Sequence, residues 1–184
     1  SLGSGICEYA LRRSDSYEVN LAVSTDSARR ASASLGASRE RSIDGGSGEW
    51  QVSARTRLRP SNRLSFTADA SFESSVDDLQ YVATASSAAG TRWLLGRIDQ
   101  KTWSLTLRAN LALSPDLTVQ YYGSPFIATG KYSSFKRAAD TLASDYEQRF
   151  HRLGAGELTY LPGAGRYQVA ETGSGASYTF ANPD

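Results

Sequence analysis

Apolar and polar residues alternate strictly along the middle of the chain, between Trp103 and Ser114. One side of this stretch carries Trp103, Leu105, Leu107, Ala109, Leu111 and Leu113. The other side carries Ser104, Thr106, Arg108, Asn110 and Ser114. A period of two residues is typical of a β-strand with one apolar and one polar face. Pro115 and Asp116 then favour a turn, and alternation resumes at Leu117, which predicts a β-hairpin.

The same alternation recurs along most of the chain. It predicts about eight long strands, over residues 17–24, 30–39, 50–59, 64–84, 92–114, from 117 onward, 146–161 and 166–180. A change of phase near Asp77 and Asp78 predicts a β-bulge, and we interpret this carboxylate pair as solvated. Short turns lie at one end of the strands, and longer loops, including the glycine-rich stretch 42–48, lie at the other. We therefore expect an all-β fold, an antiparallel up-and-down meander.

Large aromatic residues recur at a nearly fixed distance from the prolines of the short turns. Ten to twelve residues separate these prolines from Trp50, Phe72, Trp103, Phe126 and Phe150. At about 3.3 Å per residue, tilted strands of this length span roughly 25 to 30 Å, the height of an outer-membrane apolar band. The spacing predicts an aromatic girdle, and the meander would then be part of a transmembrane β-barrel. The alternative is that these aromatics fill the core of a soluble β-sandwich.

In such a barrel the apolar face meets lipid and the polar face lines the lumen. The polar face of the predicted strands carries charges of both signs. The candidate lumen-lining residues are Arg55, Arg57, Asp69, Glu73 and Arg108. These charges could select a solute, but pairing across strands is the commoner use of such residues, and we favour it.

Composition gives no support to several other classes of protein, namely nucleic-acid-binding proteins, helical membrane proteins and enzymes with histidine-dependent sites. The chain has 184 residues, enough for one domain, and its formal net charge of +1 gives no reason to expect a nucleic-acid partner. No segment reaches the roughly eighteen consecutive apolar residues of a transmembrane helix. His151 is the only histidine, so metal clusters and Ser-His-Asp arrangements lack their usual members. We expect no catalytic constellation, no metal site and no cofactor.

The ends of the sequence lack the features of a complete barrel protein. The chain has no methionine and no charged-then-apolar signal segment, and it stops in what reads as the middle of an element. We expect residues 1–184 to form a single β-barrel segment that is incomplete at both ends.

The segment 92–132 and the final residues ANPD resemble a known family. The stretch LSPDLTVQYYGSPFIATGKY, followed by Phe135, is similar to the C-terminal barrel of the bacterial domain-of-unknown-function family 5916. The matching positions are Gln120, Tyr121, Pro125, Phe126, Gly130 and Tyr132. The resemblance implies a barrel preceded by a carbohydrate-binding-like β-sandwich and followed by further strands. It implies that a saccharide partner would belong mainly to that other module, and it supplies no catalytic residues.

Two classes of function follow. The first is an outer-membrane β-barrel segment of a bacterium, with membrane lipid as its partner and a structural, anchoring or solute-passage role. The alternative is a soluble β-sandwich that binds glycans, or part of a glycan-acting hydrolase, with Trp93, Tyr121 and Tyr122 as sugar platforms. In the first case the apolar faces of the strands meet lipid, and in the second they meet each other in a dry core.

Overall fold

Antiparallel β-strands form most of this protein, whose computed structural model describes residues 14–43, 46–88 and 90–184. The large sheet contains β1 (Ser16–Ser24), β2 (Ala31–Ser42), β3 (Gly48–Ser61), β4 (Leu64–Ser87), β5 (Gly90–Ser114), β6 (Leu117–Gly123), β7 (Phe126–Ala138) and β8 (Phe150–Arg152). The small sheet contains β9 (Leu158–Leu161), β10 (Arg166–Ala170) and β11 (Ser177–Ala181). A short helix, α1 (Tyr146–Arg149), precedes β8. Of the helical segments in the described ranges, none has the length and apolar character needed to cross a membrane.

The first five strands form the predicted meander. Each strand from β1 to β5 pairs in antiparallel fashion with the next one along the chain. Strands make up 72% of the described residues, and the large sheet curls into a half-barrel. The all-β antiparallel prediction is confirmed. The turns β1–β2, β3–β4 and β5–β6 lie at one end of the sheet, hereafter the turn end, and the opposite end is the loop end.

The strand predicted from Leu117 onward is interrupted once. β6 and β7 both pair with β5, β6 along residues 107–114 and β7 along residues 94–104. The break falls at Pro125, which has no N–H to contribute to a ladder. The Pro125 carbonyl still accepts a hydrogen bond of 3.0 Å from the N–H of Leu105, so β6 and β7 continue one line across the sheet.

The bulge predicted near Asp77 is confirmed. The interpretation of Asp78 as a solvated residue is wrong. The register of β4 against β5 shifts between Asp77 and Gln80. Asp78 lies in this bulge, is buried, and accepts a hydrogen bond of 2.6 Å from the buried Lys136 Nζ. The Tyr146 hydroxyl also donates to Asp78. A bulge re-aims the side chain it displaces, and here it turns a carboxylate toward an ammonium group from β7.

The last quarter of the chain departs from the predicted meander. Instead of a long strand over 146–161, the structure has α1, the three-residue β8 and the four-residue β9. Asp145 caps α1, since its carboxylate accepts a hydrogen bond of 3.1 Å from the N–H of Glu147. An N-cap of this kind stabilises a helical turn at the position where the alternation predicted a strand.

The predicted strand 166–180 is a hairpin, with β10 and β11 paired in antiparallel fashion. Gly173 and Gly175 lie between them with φ of 93° and 64°, values that glycine adopts readily and that end a strand. β9 pairs with the other edge of β10. The chain therefore folds back into a separate small sheet instead of continuing the half-barrel.

The core of the protein lies between the small sheet and the loop end of the large sheet. Its buried members are Ala85, Leu94, Phe135, Leu153, Val169, Tyr178 and Phe180. The ring of Phe135 on β7 lies 4.9 Å from that of Tyr167 and 5.2 Å from that of Phe180. Burial is therefore concentrated at the loop end, and among the described residues no apolar side chains pack over the rest of the large sheet.

A buried ion cluster joins the small sheet to the large one. The Glu171 carboxylate accepts hydrogen bonds from Arg92 Nε at 2.8 Å and from the Ser174 hydroxyl at 2.7 Å, and Arg137 Nε lies 3.4 Å away. Burial alone would raise the pKa of Glu171, but these donors and the two arginine charges lower it to about 2. The cluster ties the end of β10 to β5 and β7.

Candidate functional site: the two faces of the curled sheet

Cross-strand pairing places the apolar residues of the large sheet on one side. Residues directly opposite each other in antiparallel strands point to the same face. One transverse row contains Leu21, Ala37, Val52, Phe72, Trp103 and Ile127, each paired with the next. A second row contains Val23, Leu35, Ala54, Ala70 and Leu105, and a third contains Leu58, Phe66, Ala109 and Tyr121. These three rows, together with the residues of the same parity between and beside them, are hereafter the apolar face.

The apolar face is open to the surroundings. Its side chains include Val23 at 74%, Leu21 at 70% and Trp103 at 61% of full exposure. An apolar surface of this extent on a folded chain marks a site that contacts another protein or a membrane. We therefore expect another protein or a membrane to cover the apolar face in the native protein.

Three of the five aromatics expected in a girdle lie together on the apolar face. The ring centroids of Trp50 and Phe72 are 5.0 Å apart, and those of Phe72 and Trp103 are 4.3 Å apart. The row beside them contains Arg39, Trp50, Ser74 and Lys101, paired in that order. The aromatic cluster therefore marks one limit of the apolar face, and charged residues follow directly beyond it.

The structure places the other two expected girdle residues elsewhere. Phe126 pairs with Ser104, while its neighbour Ile127 pairs with Trp103, so Phe126 lies on the opposite face. Phe150 is buried at the loop end, with its ring 5.3 Å from that of Tyr146. Spacing from a turn sets the height of a residue but does not set the face to which it points.

The opposite side of the sheet, hereafter the polar face, carries all five candidate lumen residues. Arg55 pairs with Asp69 in the register and forms an ion pair with it. Arg57 lies opposite Thr67, which in turn pairs with Arg108, and Glu73 lies between Gln51 and Thr102. The Arg108 guanidinium lies 5.3 Å from the ring centroid of Tyr122. Of the five, only Arg55 and Asp69 pair with each other among the described residues.

Hydroxyl groups fill the space between these charges. The hydroxyls of Ser71 and Ser104 lie 2.7 Å apart across β4 and β5, and those of Thr106 and Ser124 lie 2.9 Å apart. The serines of β2 are half-buried, whereas the alanines that alternate with them are exposed. This difference is what a curl toward the polar face produces.

The charges of the polar face are segregated along the strands, which our sequence reasoning missed. Glu18, Glu40 and Glu49 form one transverse row at the loop end. Four arginines, Arg29, Arg30, Arg59 and Arg63, line a cavity at the turn end. The signal was present in the sequence, because these arginines flank the predicted turns and Arg30 and Arg59 have polar-face parity.

The Arg55–Asp69 pair is expected to contribute little to stability. Both side chains reach solvent, and exposed ion pairs are weak. A double-mutant cycle with Arg55→Gln and Asp69→Asn should give a coupling energy below about 1 kcal/mol by denaturant unfolding. A coupling above about 2 kcal/mol would contradict a hydrated polar face.

Comparison with known protein families gives a match over most of the chain. The family model of a domain of unknown function (DUF5916) matches residues 6–148, a span that ends in α1. No curated protein and no solved structure matches the chain. The matched span holds both faces of the sheet from β1 to β7 and excludes the small sheet.

Proposed function

The chain belongs to the DUF5916 family, and we propose that its large sheet is part of a transmembrane β-barrel in the bacterial outer membrane. Its role would be structural, anchoring or solute passage. One observation carries this proposal: the apolar face extends over β1 to β7 and is exposed. In a bilayer each exposed apolar side chain on this face is solvated by hydrocarbon, and burying apolar surface is favourable by about 25 cal/mol per Å².

The height of the apolar face suits a bilayer. On β5 the face runs from Trp103 to Leu113, near the turn end. Strand geometry and a barrel tilt convert ten to twelve such residues to roughly 25 to 30 Å. Above Trp103 the same parity continues with Lys101 and Asp99, which suit the aqueous side of an interface.

The edges of the sheet also fit an incomplete barrel. In the part of the chain that the structure describes, β1 has β2 as its sole strand neighbour. A strand in a bilayer must pair on both edges, because lipid offers no hydrogen bonds to backbone groups. In the native protein we expect the free edge of β1 to pair with another strand and so to close the barrel.

A soluble glycan-binding sandwich is the alternative, and two features weigh against it. A sandwich needs a second sheet over the apolar face, whereas β9 to β11 pack above the loop end against Leu94 and Phe135. Tyr121 pairs with Ala109 and Tyr122 with Arg108, so the two rings point to opposite faces and form no shared sugar platform. The saccharide role implied by the family resemblance stays a prediction, and no described residue is assigned to it.

The test is fractionation of the native full-length protein from the bacterium. We expect it in the outer membrane, resistant to carbonate extraction, and we expect the unboiled detergent extract to migrate differently from the boiled one on a gel. Barrels that stay folded in detergent give this heat-dependent shift. A protein that is recovered without detergent, with one mobility in both states, would contradict the barrel and favour the sandwich.

A further inference from the structure

Four arginines converge on one cavity at the turn end of the polar face. Arg29, Arg30, Arg59 and Arg63 line a space of about 510 Å³. Its other lining residues are Ala28, Ser61, Asn62, Leu64, Ser65, Asn110, Ala112 and Thr118. These four arginines and their surroundings are hereafter the arginine cavity.

Backbone hydrogen bonds hold the arginines in place. Arg29 and Arg30 lie in the connection between β1 and β2, and the N–H of Arg59 donates to the Arg30 carbonyl at 2.6 Å. Arg63 lies in the turn between β3 and β4, and its carbonyl accepts from the N–H of Ala112 on β5 at 2.8 Å. Three connected strand ends therefore fix the positions from which the guanidinium groups extend.

No carboxylate neutralises this cavity within the described structure. None of its lining residues is acidic, and none of the four arginines has an ion-pair partner among residues 14–43, 46–88 and 90–184. The nearby Asp26 carboxylate instead accepts the N–H of Ala28 at 2.9 Å. Like charges brought together repel, so the arrangement is stabilised by an anion that enters between them.

We propose that the arginine cavity binds a phosphate-bearing anion. A guanidinium presents a planar fork of donors that matches the oxygens of a phosphate, and several forks suit a group with more than one negative charge. Ser61, Asn62 and Ser65 also line the cavity with neutral hydrogen-bonding groups. The volume exceeds the needs of a bare phosphate ion and admits a phosphoester with a small organic group.

This proposal does not rest on the proposed function, since the cavity lies on the polar face whichever medium the apolar face meets. The same phosphate chemistry has two sources. One is a soluble phosphate or phosphoester that enters the polar face, and the other is the headgroup of a phospholipid at the turn end. The two differ in whether acyl chains contribute to binding.

The experiment measures binding to the native full-length protein, in detergent where it is needed, at constant ionic strength. The probe is radiolabelled inorganic phosphate in equilibrium dialysis. Two competitors of its binding are compared: phosphatidylglycerol in neutral mixed micelles, and soluble glycerol phosphate. The variants are Arg59→Gln with Arg63→Gln and, separately, Arg29→Gln with Arg30→Gln. Arg41→Gln is the control, because Arg41 is exposed at the loop end of β2, outside the cavity.

We expect saturable phosphate binding that weakens by roughly tenfold or more in each double variant and is unchanged in Arg41→Gln. Stronger competition by phosphatidylglycerol than by glycerol phosphate assigns the site to a lipid headgroup, and equal competition assigns it to a soluble phosphoester. Absence of saturable binding, binding unaffected in both double variants, or an equal loss in Arg41→Gln would overturn the proposal. Phosphate binding by a protein that fractionates as soluble would retain this site and remove the barrel.

Discussion

A Leu105→Arg substitution is expected to destabilise the folded protein by about 2–4 kcal/mol and to reduce its recovery from the membrane. Leu105 lies in the second row of the apolar face, beside Ala70. If the face meets lipid, arginine at this depth must bury a charge in hydrocarbon or distort the bilayer around it. The measurement is urea unfolding in phospholipid vesicles, followed by tryptophan fluorescence.

Thr106→Arg is the matched control, because Thr106 is the next residue on β5 and lies on the polar face. We expect its effect to stay below about 1 kcal/mol, since water reaches that side. If the apolar face stayed uncovered in water, Leu105 would be a surface residue, and its replacement by arginine would also cost little. Equal effects of the two substitutions would therefore contradict a lipid-facing apolar face.

A Glu171→Gln substitution is expected to lower the free energy that holds the small sheet on the large one by about 3 kcal/mol. The Glu171 side chain is 1% exposed and is held by Arg92 and Arg137. Glutamine removes the negative charge that the two guanidinium groups share. Hydrogen exchange should report this change as faster exchange of β9 to β11, while the amides of β2 to β4 keep their rates.

The same cluster predicts an acid-sensitive junction between the sheets. The pKa of Glu171 is lowered to about 2 from an ordinary value of 4.5. A carboxyl with a lowered folded-state pKa stabilises the fold above its unfolded pKa, and this contribution is lost as the pH falls from about 4.5 to about 2. Glu171→Gln should remove the part of that dependence that comes from this carboxyl and leave the part from Glu157, whose pKa is also lowered to about 2 by hydrogen bonds from Thr172 and His151. Glu147→Gln is the control, because the Glu147–Arg152 pair is exposed, and it should leave both exchange and its pH dependence unchanged.

The sequence was sufficient to predict the antiparallel meander because, outside the distal part of the β4–β5 hairpin, its strands are covered on neither face or on one. An alternating pattern then records directly which residues point to which side, as it does at Leu105 and Thr106. The pattern misled after Ala138, where the segments are short and packed together. The strand predicted over 146–161 contains α1, since the capping bond of Asp145 outweighs a weak alternation.

Some features of the candidate surfaces were predictable from the sequence and others were not. Parity along single strands was enough to place Arg55 and Asp69 on one face. It could not reveal the buried pair of Asp78 and Lys136, which needs a bulge in one strand and a partner 58 residues away. Nor could it show which arginines converge at the turn end, because that depends on how the β1–β2 and β3–β4 turns lie beside each other.

The β4–β5 hairpin extends beyond the row of Phe72 and Trp103 to its tip at Ser87 and Gly90. In this distal part the adjacent residues Leu94 and Leu95 are both buried, so each face of β5 has its own cover. Insertions or deletions here that add or remove residues in pairs on both strands keep every side chain on its original face. Ala85, Leu94 and Arg92 hold the small sheet at this level, so a change in the length of the tip beyond them leaves both these contacts and the thickness of the apolar band unchanged.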